Sequence, residues 1–255
     1  MPKIDTIHLR CTSPAAQSAF YSDILGMVDF GDGTLGFQQS DAKLAFLPSA
    51  APYEPGPHDL YWKIALAVPN IELACDQLTS RGVAVSTPRQ FQDVGFLAHF
   101  KDPGGFTVEL IDHWFQGERQ EEATDPEKLG GGAHLNLLTL RASDIGQVTA
   151  TCESWGMKLL SIQPVRDVGF TLYFYAFTQE TPPSSEPYAV ENRSWVYRRP
   201  YTVLEVQHID GSPEISHDTD GRSGYAGATI GDAPEPFDNA EMLGFVPAGG
   251  SAEAA

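Results

Sequence analysis

Apolar and polar positions alternate over several short stretches of the chain, and a stretch of helical period follows each one. Residues 63–68 (KIALAV) and 137–141 (LLTLR) read as strands with one buried face. Asn70 and Ser143 follow them as helix caps, because their side-chain oxygens can accept amide protons left free at a helix start. Leu73, Ala74 and Leu78, and likewise Ile145, Val148 and Cys152, then recur at the spacing of a buried helix face. Gly82 and Gly156 end the two helices, since glycine adopts the left-handed conformation of a C-terminal cap without steric cost. Three further strands are expected in each copy, over 83–86, 96–100 and 106–111, and over 157–162, 170–177 and 201–207.

The two copies are in register. The phrase DVGF occurs at 93–96 and again at 167–170, an offset of 74, and the same offset relates Gly82 to Gly156 and Asn70 to Asp144. Agreement of three landmarks indicates duplication. An earlier copy, offset by about 57, has a strand over 4–11, Ser13 as cap, a helix over 15–25 ending at Gly26, and later strands at Phe37 and 44–47. A fourth copy begins at 225–230, but Pro234, Pro236 and the terminal PAGGSAEAA oppose a following helix. The pattern predicts an α+β fold of tandem βαβββ modules with the last truncated. The charged, glycine-ended segment 116–132 reads as a linker, which divides the chain into a two-module domain at 1–115 and a second, incomplete one at 133–255. Segment 178–199, with Pro182, Pro183 and Pro187, reads as a long loop of the kind that forms lids. Trp195, near its end, is a candidate lid anchor or substrate contact.

Composition narrows the partners. The 255 residues are 42% hydrophobic and 20% charged, which suits a packed core rather than disorder. A formal charge of −18 repels phosphate backbones and anionic lipid, so neither nucleic acid nor membrane is expected as a partner. The start MPKIDTIHLR has no apolar leader, and a cytoplasmic protein is expected. Cys11, Cys75 and Cys152 are odd in number and widely spaced, which fits buried reduced thiols rather than a disulfide or zinc framework. No GxSxG, P-loop or GxGxxG pattern is present.

The phrases FYSDILGM, KIALAVPN and KDPGGFTVELID, in that order, resemble the vicinal oxygen chelate superfamily over 1–115 and 133–210. That superfamily includes glyoxalase I, extradiol dioxygenases and the bleomycin and fosfomycin resistance proteins. The resemblance implies cupped mixed sheets, each built from two modules, around a divalent zinc, nickel or iron ion. It also implies that, in a tandem chain, modules two and three can pair. Each module would then give a His or Gln from its first strand and a Glu from its last. Here the first-strand positions are Thr6, Lys63, Leu137 and Gly227, and the last-strand positions are Ala45, Glu109 and Glu205. Every nitrogen ligand of that pattern is replaced, and a metal is not expected in the first domain. Lys63, as an ammonium, has no lone pair to give and could pair with Glu109 instead.

Glu109 and Glu205 are therefore the candidate catalytic residues and candidate metal ligands, with Lys63, His8, His99 and Trp195 as candidate substrate contacts. His8 shares a strand face with Thr6, whereas His134 has the opposite parity to the ligand position. Two functions stand open. One is a metal-assisted lyase or isomerase acting on a small carbonyl adduct, or a related extradiol-type oxidoreductase. The other is a metal-independent binding or resistance-type protein for a small molecule. A homodimer that completes the truncated module fits either.

Overall fold

The computed structural model describes residues 1–217 and 222–247. Module one comprises β1 (Lys3–Cys11), α1 (Pro14–Ala19) with a wider turn over Phe20–Ile24, β2 (Val28–Asp29), β3 (Thr34–Gly36) and β4 (Lys43–Pro48). Module two comprises β5 (Tyr61–Val68), α2 (Ile71–Ser80), β6 (Arg89–Phe91), β7 (Gly95–Lys101) and β8 (Thr107–Asp112). Module three follows as β9 (His134–Ala142), α3 (Ile145–Ser154), β10 (Lys158–Val165), β11 (Phe170–Ala176), α4 (Glu191–Tyr197) and β12 (Val203–Ile209). The truncated fourth copy is β13 (Gly224–Gly231), a single 3-10 turn at Ala240–Leu243, and β14 (Phe245–Pro247).

The strands form two curled mixed sheets. The six-stranded sheet, β14-β13-β1-β4-β3-β2, joins module one to the terminal fragment. The eight-stranded sheet, β10-β11-β12-β9-β5-β8-β7-β6, joins modules two and three through the antiparallel pair β5–β9. Sheet pairing thus crosses segment 116–132, which lies along α2. The Gln77 side chain donates to the Pro126 and Lys128 carbonyls, and Arg119 pairs with Glu72 and Asp112.

Local chemistry accounts for the helix ends. Asn70 Oδ1 accepts from the Leu73 amide at 3.0 Å. In module three the cap is Asp144, accepting from Gln147 at 3.0 Å, and not Ser143. Ser13 precedes α1 but makes no capping bond; Pro14 at the first turn needs no amide partner. Gly26, Gly82 and Gly156 end their helices at φ of 80°, 82° and 83°. The segment expected as a loop over 178–199 carries α4. Its prolines lie before the helix, and buried Asn192 fastens the loop to it through bonds with Ser184 and Glu186. The strand expected at 83–86 is reduced to an isolated bridge between Val85 and Phe100, and β6 lies further on.

Two apolar clusters follow from strand alternation. One faces the helices and is continuous under both sheets, from Ile7 and Leu9 through Ile64, Leu66 and Leu138 to Tyr225 and Phe245. The other lies on the opposite face of the eight-stranded sheet and includes Ala65, Ile111, Leu137, Phe174, Val196 and Tyr197. In place of a fourth-module helix, the terminal segment packs on α3. Trp155 is buried there, with Phe237 and Phe245 at ring distances of 4.5 and 5.8 Å and its indole donating to the Asp238 carbonyl. All three cysteines are buried free thiols.

Candidate functional site in the eight-stranded sheet

The paired strands β5 and β9 place the first-strand residues of modules two and three side by side. Lys63 lies opposite Thr139, while Leu137 lies opposite Ala65. Glu109 is alongside Ala65 on β8, and Glu205 is alongside Thr139 on β12. The Lys63 side chain is 2% exposed, and its Nζ donates to Glu109 Oε1 at 2.9 Å, Glu205 Oε2 at 2.9 Å and Thr139 Oγ1 at 3.2 Å. Three ammonium protons meet three acceptors, and the Thr139 hydroxyl in turn donates a hydrogen bond to Glu205. His99, across the β7–β8 pair, adds a bond from Nε2 to Glu109 Oε2 at 2.9 Å.

The charges set one another. Burial works against the Lys63 ammonium, but the Glu109 and Glu205 carboxylates outweigh it and hold its pKa above the ordinary lysine value. Burial likewise opposes the Glu109 anion, yet Lys63 and His99 bring its carboxyl below the usual range. Glu205 moves the other way: burial and the neighbouring Glu109 charge raise it despite Lys63. Lys63 is thus held as an ammonium by its two carboxylate partners.

Above this floor is a cavity of about 230 Å³ with a mostly apolar wall, including Trp62, Phe91, Leu97, Phe170, Leu172 and Tyr197. Trp62 and Lys63 both line it although they are consecutive, because a bulge in the β5–β9 register interrupts alternation between Tyr61 and Lys63. The Trp62 ring lies 4.8 Å from Lys63 Nζ. Tyr197, brought in by α4, donates its hydroxyl to the Val94 carbonyl and closes one side.

Among the residues singled out by sequence, Lys63, Glu109, Glu205 and His99 converge here. His8 does not. It lies on β1 of the other sheet, beside Ala45 and Gly227, and burial lowers its pKa. Trp195 is not in the wall either; its ring stacks 4.1 Å from the Arg199 guanidinium, and Tyr197, two residues on, is the residue that reaches the cavity. Trp62, Thr139 and Arg89 are site residues that the sequence did not single out. The bulge hides Trp62, Thr139 lies two residues beyond the expected position, and Arg89 sits outside the strand expected at 83–86.

The donor set does not fit a divalent ion. Among the described residues, no group of three or more His, Cys, Asp or Glu side chains is arranged to hold a metal. The two carboxylates that could contribute are bridged by an ammonium, and Leu137, at the matching position of module three, is packed in the apolar cluster.

Residues 3–110 match the family model Glyoxalase/Bleomycin resistance protein/Dioxygenase superfamily. Over that segment the sequence is of this superfamily, and over the rest of the chain the solved structures show the fold alone. It is similar to glyoxalase I from Zea mays, with a TM-score of 0.62 and 19% identity over 95% of this chain and 78% of the other. It is also similar to a putative dioxygenase from Bacillus subtilis subsp. subtilis str. 168, with a TM-score of 0.55 and 15% identity over 90% and 69% of the two chains. No curated protein matches the sequence. No helix among the described residues is long and apolar enough to cross a membrane.

Proposed function

We propose that the chain binds a small, largely apolar, ring-containing molecule in this cavity and does so without a resident metal. The observation that carries the reading is the Lys63 ammonium, whose three contacts join the two carboxylates that a metal would otherwise bring together. An aromatic wall above a floor whose polar groups are hydrogen-bonded to one another favours burial of a ring. The cavity is smaller than drug-sized pockets, which suits one or two fused rings. The test is a calorimetric titration of naphthalene-sized probes against protein treated with chelator and against untreated protein. Equal, saturable binding in both supports the reading, and binding that disappears with the chelator overturns it.

A metal-assisted lyase acting on a carbonyl adduct is the second reading, favoured by Glu109 and Glu205 meeting in one cavity. It requires Lys63 to leave both carboxylates. Turnover of a methylglyoxal–thiol adduct on addition of zinc, nickel, cobalt or manganese would establish it, with a loss of orders of magnitude in Glu109→Gln and Glu205→Gln at little cost in melting temperature.

A further inference from the structure

The cavity has a second polar feature, at its mouth. Arg89 is exposed on the edge strand β6 and lines both the cavity and an adjoining groove formed with Ser86, Thr87, Leu97 and His99. Arg89 pairs with Leu97 across β6–β7, which puts Arg89, Phe91, Leu97 and His99 on the cavity face of one hairpin. Among the described residues its guanidinium has no hydrogen-bond or ion-pair partner. Neighbouring arginines are committed: Arg193 to Asp93 at 2.6 Å, and Arg199 to Glu180 at 3.0 Å.

We infer that the ligand is an aromatic monoanion of the aryl carboxylate class, with its ring inside the cavity and its carboxylate on Arg89. This rests on the reading of the cavity as a ring-binding site. The orientation follows from the floor. Glu109 and Glu205 repel an anion there, and Lys63 has no proton left to offer one. The mouth is the place where an anion meets a free donor fork, and a guanidinium matches a carboxylate in bidentate geometry.

The experiment compares 2-naphthoate with the neutral 2-naphthalenemethanol by calorimetry at low ionic strength, using wild type, Arg89→Gln, Arg89→Lys and Leu172→Trp. The expected result is about tenfold tighter binding of naphthoate by wild type, a gap of about 1.4 kcal/mol. That ratio should fall to near one in Arg89→Gln, be partly kept in Arg89→Lys and shrink with added salt. Leu172→Trp, which fills the cavity, should weaken both probes. Equal affinities in wild type, or an unchanged ratio in Arg89→Gln, overturn the anion inference and leave the ring-binding reading standing. Failure of both probes to bind wild type, or undiminished binding of both in Leu172→Trp, overturns that reading as well.

Discussion

Single residues decide the character of the site. A buried ion pair is costly to form but more costly to break, because the partner left behind is an uncompensated charge. Lys63→Met should therefore lower stability by about 3–5 kcal/mol in urea unfolding, and adding Glu109→Gln and Glu205→Gln should recover much of that loss. A triple variant no more stable than Lys63→Met would show that the cluster is not held by charge. Asp41 offers a separate test. It is fully buried, accepts from the Leu135 amide at 3.1 Å and from Gln38 at 2.8 Å, and burial pushes its carboxyl up to about 7. Its folded pKa exceeds its unfolded one, so between about pH 4 and 7 the folded state binds more protons and stability falls as pH rises. Asp41→Asn should raise the melting temperature at pH 8 and do little at pH 4, since Gln38 can turn its amide to suit. An equal effect at both pH values would contradict the assignment. The convergence of Lys63 and Glu109 was legible through the family resemblance, which marks one position on the first strand and one on the last strand of a module as sharing a cup. The rest was not: parity cannot foresee a bulge, and it placed His8 and His99 on equal footing although they lie in different sheets.

Among the elements, the most recognisable phrase in the chain is architectural in its first half and carries the site residue Glu109 in its second. In KDPGGFTVELID, Asp102 is buried and accepts from the Phe106 amide at 3.0 Å, from the Tyr21 hydroxyl at 2.9 Å and from Gln17. It ties the β7–β8 turn of module two to the first helix of module one. A motif can mark a family strongly while its conspicuous residues hold two elements together. The 178–199 segment shows the opposite failure of sequence. Seven residues of helix, without a repeat partner and with prolines before them, give too short a period to read. Their anchor is Asn192, whose amide makes three bonds to the loop. Asn192→Ala should cost about 1–3 kcal/mol through the buried loop groups it leaves unpaired. It should also make the 181–190 stretch the first site of limited proteolysis. Cleavage no faster than in wild type would mean that the loop is held elsewhere.

At the scale of the whole molecule, duplication sets what the site can be. The pseudo-symmetric pairing of β5 with β9 makes Lys63 and Leu137 equivalent, and Glu109 and Glu205 equivalent. This pairing was legible only through the family resemblance, since the repeat gives the modules but not which of them share a sheet. The two halves have diverged at the first-strand positions while keeping the carboxylates. If the scaffold still holds those four positions around one point, restoring donors at two of them should create a cation site. Lys63→Gln supplies an amide oxygen, and Leu137→His supplies an imidazole nitrogen, which with two carboxylates gives a donor set suited to zinc. The folded double variant is expected to retain about one zinc per chain after dialysis, read by elemental analysis. The melting temperature should rise on zinc addition, because binding to the folded state alone stabilises it. Lys63→Gln by itself should retain much less, lacking the imidazole. A double variant that folds, by circular dichroism, and holds no more zinc than wild type would mean that the two halves no longer converge on a common point.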